Sequence, residues 1–129
     1  LIDINLKNKT LTYFSAGHPA QIFLQNNKMN YLEKTGHLIG IHSKKNFNSI
    51  TENFNHGDKV LLFTDGIFEE FNKAHEEFGE TKLHKYIEKN KERKIPELFD
   101  GILNELDSFL ESNNRKDDIT LIGIESFFS

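Results

Sequence analysis

Asp65 is the residue on which chemistry is most readily built. It follows the apolar run Val60-Leu61-Leu62-Phe63 and directly precedes Gly66. A continuous apolar run of this length predicts a strand buried on both faces. A carboxylate at the end of such a strand is costly unless it is solvated, paired or bound to a cation. Gly66 permits a tight turn that presents it. The structural alternative is that Asp65 caps a helix starting near Ile67. The second feature is Asp117-Asp118, directly before the apolar stretch Ile119-Thr120-Leu121-Ile122-Gly123-Ile124. Adjacent carboxylates at a strand start suit a hard cation bound through oxygen. The alternative is a loop of solvated charges continuing Asn113-Asn114-Arg115-Lys116. If the two strands are neighbours in one sheet, both sets of acids meet at one end. Mg2+ and Mn2+ sites are built that way, from a few carboxylates plus waters. Such a cation can activate water as a nucleophile on phosphorus.

Other chemistries find less support. His18, His37 and His42 lack the His-x3-His or His-Glu-x-x-His spacing of a zinc site. His18, within Ala16-Gly17-His18-Pro19, reads as a turn residue with a structural hydrogen bond. There is no Gly-x-Ser-x-Gly elbow and no Walker loop. Gly36 and Gly40 are weak signs of a phosphate cradle. The stretch Leu61-Leu62-Phe63-Thr64-Asp65-Gly66 superficially resembles the first motif of haloacid-dehalogenase-type phosphatases. That chemistry needs a nucleophilic aspartate at position 63, where this chain has Phe, which cannot attack phosphorus.

The elements that must position these acids are legible from periodicity. Leu1, Ile2, Ile4 and Leu6, then alternating residues 10–15, flank the polar turn Lys7-Asn8-Lys9 and predict a hairpin. Ala16-Gly17-His18-Pro19 predicts a tight bend. Gln21-Ile22-Phe23-Leu24 predicts a strand, Asn26-Asn27-Lys28 a hairpin turn and Met29-Asn30-Tyr31-Leu32 the returning strand. A loop at Thr35-Gly36-His37 precedes Leu38-Ile39-Gly40-Ile41. Residues 47–54 alternate poorly and predict a partly exposed strand. His56-Gly57-Asp58 then turns the chain into the apolar run before Asp65. The period changes after Gly79. Leu83, Tyr86 and Ile87 predict one helix, and Ile95, Leu98, Phe99, Ile102, Leu103, Leu106, Phe109 and Leu110 a second. Pro96 sits where a first turn tolerates it, and Glu97 and Asp100 suit the positive end of the helix dipole. Asn113-Asn114 is expected to end that helix, and residues 119–124 form the last strand. Segregated strands and helices predict an α+β fold, an antiparallel β-sandwich flanked by helices.

A length of 129 residues fits one domain spanning the chain. The absence of cysteine rules out a disulfide scaffold, a thiolate zinc site and a cysteine nucleophile. It also permits a reducing, cytoplasmic setting. Sixteen Lys and Arg against 20 Asp and Glu leave a formal charge of −4, which argues against nucleic acid as a partner. Lys89, Lys91, Arg93 and Lys94 read as a solvated helix end, with a local basic patch as the alternative. No apolar run approaches the roughly 18–20 residues of a membrane span. Asp3 and Asn5 interrupt what would otherwise open a signal peptide. Only two prolines and 36% hydrophobic residues mark an ordered globular chain. The first residue is Leu and not Met, which reads as a fragment or a processed product.

Several motifs stand in a fixed order along the chain. They are Leu11-Thr12-Tyr13-Phe14-Ser15-Ala16-Gly17-His18-Pro19, then Gly40-Ile41, then the segment from Gly57-Asp58 through Thr64-Asp65-Gly66-Ile67. Glu69, Asn72, Phe78-Gly79 and Leu83 follow, and Asp117-Asp118-Ile119-Thr120-Leu121-Ile122 comes last. Over almost the whole chain this set resembles the metal-dependent protein phosphatase (PPM, type 2C-like) family, in its bacterial SpoIIE/RsbU branch. The resemblance implies two antiparallel sheets flanked by helices, part of a four-layer αββα fold. It implies hydrolysis of phosphoserine or phosphothreonine on proteins, with a pair of Mn2+ or Mg2+ ions holding and polarising the attacking water. By that resemblance Asp65 is a metal ligand, Gly66 belongs to the same cofactor-binding turn, Asp117 is the other ligand and Asp118 the second choice. No catalytic residue beyond the metal ligands is implied. The implied partners are phosphoprotein substrates, such as phosphorylated anti-anti-sigma factors, and an upstream sensory or receiver domain.

Departures from the family pattern shape the expectation. The family's early metal motifs are an acidic residue on the first strands and an Asp-x-x-Gly-His-Gly segment that supplies a bridging aspartate. Neither has a counterpart, because Gly17-His18 and Gly36-His37 follow no such aspartate. The family's usual proline near position 38 is also replaced. The chain is therefore expected to be the C-terminal portion of such a domain and inactive by itself. Exposed sheet edges and apolar surface would then favour self-association. The competing reading is a non-catalytic relative that binds a phosphoprotein or another partner.

Overall fold

Apolar residues alternating with polar ones, then recurring at helical spacing, organise the chain in the order the sequence predicts. A computed structural model describes residues 1–36, 48–111 and 115–128. Among the described residues the strands are β1 (Ile2–Asn5), β2 (Thr10–Tyr13), β3 (Gln21–Gln25), β4 (Lys28–Leu32), β5 (Ile50–Asn53), β6 (Lys59–Phe63) and β7 (Leu121–Glu125). A 3-10 turn at Asp65–Ile67 and the helices α1 (Gly79–Asn90) and α2 (Ile95–Leu110) lie between β6 and β7. One sheet has the order β1-β2-β5 and the other β4-β3-β6-β7. This is the expected α+β architecture of antiparallel sheets with helices. The segment 38–41, Phe47, His37 and His42 fall outside the described residues, as do Asn113 and Asn114.

The chain divides into two compact units, Leu1–Leu61 with Glu125–Ser129, and Leu62–Ile124. In the first unit both predicted hairpins form. Ile2 lies opposite Tyr13 and Asn5 opposite Thr10. The β3–β4 turn places Asn26 and Asn27 at φ of 50° and 60°. Two successive positive φ values give the type I′ geometry that matches strand twist, and asparagine tolerates them better than most residues. Leu11 and Tyr13 are buried while Thr10 and Thr12 are half-buried, the alternation of a strand with one apolar face. Phe23 and Phe54 pack with ring centroids 6.1 Å apart, and Phe128 meets Phe54 edge-on. Asp58 is buried but satisfied: its carboxylate accepts the amides of Asn26 at 2.9 Å and Asn55 at 2.7 Å. The strand predicted over 47–54 is shorter and wholly exposed, with all four β5 residues solvent-facing.

In the second unit the helical stripe is buried as its spacing requires: Leu83 and Ile87 from α1, and Leu98, Ile102, Leu106 and Leu110 from α2. Pro96 occupies the first turn of α2, and Glu111 ends it in a left-handed conformation. Phe78 packs edge-on against Phe109 at 5.5 Å. The last strand begins at Leu121, two residues later than expected, although the Thr120 carbonyl already accepts the Thr64 amide. A Cβ on Gly123 would overlap Ile95 Cγ2 and lie 3.1 Å from Phe99 Cζ, so α2 lies directly over this strand. Gly123→Ala is expected to destabilise the protein by about 1–3 kcal/mol through overpacking. A urea midpoint indistinguishable from that of the native protein would contradict this packing. Among the described residues no helix is long and apolar enough to cross a membrane.

Candidate metal centre

At the end of β6 the backbone leaves the sheet at Thr64, which is extended at φ −81° and ψ 160°, and enters the 3-10 turn. Thr64 holds the position before the turn, yet its side chain does not cap it. Its Oγ1 instead accepts the Thr120 amide at 3.1 Å and donates to the Asp118 carbonyl at 3.4 Å. The Thr64 amide also donates to the Thr120 carbonyl at 3.2 Å. The Thr-Asp-Gly turn is thereby stitched to the Asp-Asp-Ile-Thr segment.

Asp65 lies inside the turn and is not its cap, so the structural alternative considered for it does not apply. Its carbonyl accepts the Phe68 and Glu69 amides at 3.0 Å, while its side chain is exposed. Among the described residues its carboxylate has no hydrogen-bond partner. Gly66 is buried, and a Cβ there would lie 2.7 Å from the Asp118 carbonyl oxygen and 3.4 Å from Asp117 Cβ. The requirement at Gly66 is space, not backbone freedom. Only a residue without a side chain lets the two acidic segments approach this closely.

Asp117 and Asp118 are both exposed, and Asp117 Oδ1 accepts the Asp118 amide at 2.8 Å. The segment is fixed from two further directions. Arg115 makes a two-pronged contact with Asp107 of α2, at 2.8 and 2.9 Å. Glu70 Oε1 accepts the amides of Lys116 at 2.6 Å and Asp117 at 3.1 Å. Glu70 is only 1% exposed, whereas its neighbour Glu69 faces solvent. Sequence reasoning singled out Glu69 and passed over Glu70. Two adjacent glutamates in an irregular turn carry no periodicity that would tell which one points inward.

All the acids gathered here offer oxygen donors alone, the chemistry that suits Mg2+ or Mn2+. Among the described residues no group of three or more His, Asp or Glu side chains converges closely enough to hold a metal. Asp65 and Asp117 each offer a solvent-facing carboxylate, so any cation held here needs ligands beyond these two. His18 belongs to the first unit, where its Nδ1 lies 3.1 Å from both the Pro19 carbonyl and Gln21 Nε2. This is the structural turn role expected for it.

A family model described as Stage II sporulation protein E (SpoIIE) matches residues 1–126. Protein IcfG of Synechocystis sp. is 27% identical over 122 residues, which cover 94% of this chain and 19% of that protein. The phosphatase domain of SpoIIE from Bacillus subtilis, in a structure presoaked with Mn, superposes with a TM-score of 0.73 at 18% identity. That match covers 100% of this chain and 56% of that one. The SiaA-PP2C domain of Pseudomonas aeruginosa gives a TM-score of 0.74 at 17% identity, covering 93% of this chain and 48% of that domain. The fold is that of a PP2C-type phosphatase domain, and the chain spans about half of each of these two solved structures and a fifth of IcfG.

Proposed function

This chain belongs to the SpoIIE family, and we propose that it supplies part of the catalytic centre of a metal-dependent phosphatase acting on phosphoserine or phosphothreonine in a regulatory protein. The observation that carries this reading is the stitching of Thr64 and Gly66, which flank Asp65, against residues 117–120, which draws two acidic segments distant in sequence to one place. Asp65 and Asp117 would hold Mn2+ or Mg2+, with Asp118 the alternative to Asp117. A divalent cation bound there supplies Lewis acidity, which makes water a competent nucleophile at neutral pH and offsets charge on a phosphoryl oxygen.

The chain's own residues have separable roles. The Asp65 carboxylate is solvent-facing and makes no hydrogen bond among the described residues, so it is available as a donor. Gly66 keeps the space beside Asp117 and Asp118 clear, and Thr64 fixes the spacing of the two segments. The residues present constitute the C-terminal portion of the domain in this reading, with further ligands supplied from elsewhere in the protein. A phosphorylated anti-anti-sigma factor is the proposed kind of substrate, an upstream sensory or receiver domain the proposed regulator and the cytoplasm the proposed location.

The test is Mn2+-dependent phosphate release from a phosphoserine protein by the full-length protein, beside the 129-residue chain alone. The full-length protein is expected to be active and the isolated chain inert. A folded full-length protein that is inert with both Mn2+ and Mg2+ on several phosphoproteins would favour a non-catalytic phosphoprotein-binding module instead.

A further inference from the structure

Glu70 is a buried acid to which neither the sequence motifs nor the proposed chemistry gives a role. It is 1% exposed, and its neighbours in sequence Ile67 and Phe68 are buried as well. Burying a carboxylate is costly unless its hydrogen bonds compensate. Oε1 is compensated twice, by the amides of Lys116 and Asp117. Oε2 is buried and has no hydrogen-bond partner among the described residues. The Glu70 backbone is itself fixed, since its carbonyl accepts the Phe78 amide at 2.8 Å. The turn thus presents one carboxyl oxygen to two successive amides of the opposite segment. Each amide so bonded is one that an exposed loop would otherwise leave to water. One of the two bonds falls on the backbone of Asp117 itself, and the side chains of Lys116 and Asp117 remain exposed.

We propose that Glu70 is the positioning residue of the metal centre: it holds the Lys116–Asp117 backbone so that Asp117 presents its carboxylate beside the Thr-Asp-Gly turn. This inference rests on the metal-ligand reading of Asp117, but the clamp itself has a metal-free signature. Groups that orient a ligand without touching the metal are typically worth about 10–100-fold in metal affinity.

The test uses the full-length protein with Glu70→Gln and Glu70→Met. Gln keeps an acceptor oxygen for both amides; Met keeps the volume and removes both acceptors. Isothermal titration with Mn2+ is expected to show affinity about tenfold weaker or worse for Glu70→Met and largely retained by Glu70→Gln. A purely structural role would lower thermal stability in both variants and leave affinity unmoved, and that result overturns the proposal. Amide hydrogen exchange on the metal-free native protein gives the second readout and needs no variant. Lys116 and Asp117 are expected to exchange slowly although they lie on an exposed loop. Rapid exchange at both overturns the clamp even if Glu70→Met does not fold. Native protein with slow exchange at both amides and no Mn2+ binding would leave the clamp standing and remove the ligand role of Asp117, and with it the proposal that Glu70 serves a metal.

Discussion

Asp65→Asn in the full-length protein is expected to cut Mn2+-dependent phosphatase activity by about a thousandfold, equivalent to about 4 kcal/mol of transition-state stabilisation. The substitution preserves size and one oxygen while removing the charge that makes the side chain a strong donor to a hard cation. It should cost almost nothing in stability. The Asp65 side chain is exposed and makes no hydrogen bond among the described residues, and substitutions at such positions usually fall within about 0.5 kcal/mol of neutral. Loss of activity at unchanged melting temperature is therefore the expected signature, read by phosphate release beside thermal denaturation. A variant with native activity would remove Asp65 from the chemistry. One that is both inactive and unfolded would assign the residue to the fold.

Gly66→Ala should instead damage activity and stability together. The added methyl would sit 2.7 Å from a backbone carbonyl oxygen, that of Asp118. A backbone group cannot swing aside as a side-chain end can, so residues 117–118 must retreat from the turn. Overpacking of this kind costs about 1–3 kcal/mol. The retreat also strains the bonds from Thr64 to Asp118 and Thr120, and activity should fall with stability. Gly57→Ala is the informative comparison. A Cβ at Gly57 meets nothing within 4 Å, but φ there is +82°. Its expected cost is backbone strain of about 1 kcal/mol, with kcat and Mn2+ affinity unchanged. If Gly66→Ala behaves like Gly57→Ala in both assays, close approach of the two acidic segments is not what the glycine provides.

Much of the scaffold was readable because its causes are local. The Asn26-Asn27 turn declares a hairpin through its backbone preference, and the α2 stripe from Ile95 to Leu110 declares its buried face through spacing alone. Asp65 stood out because it ends an apolar run. The features that escaped are those fixed by bonds between distant segments. Thr64 pairs with Thr120 across 56 residues, and Glu70 with Lys116 across 46. Neither leaves a mark in local periodicity. The late start of β7 has a similar cause: Ile119 and Thr120 read as strand by composition, but Thr120 is engaged by the Thr64 side chain just before the regular strand begins. The capping alternative for Asp65 failed for the same reason, since Thr64 takes the position before the turn and spends its hydroxyl on the other segment.

The most direct measurement is Mn2+ binding to the full-length protein, followed by electron paramagnetic resonance and calorimetry, for the native sequence, Asp65→Asn and Asp117→Asn. Saturable binding by the native protein, weakened by at least about tenfold in each variant while the fold persists, is the result expected if both carboxylates hold the cation. Equal affinity and stoichiometry in all three proteins would contradict the assignment of Asp65 and Asp117 as metal ligands.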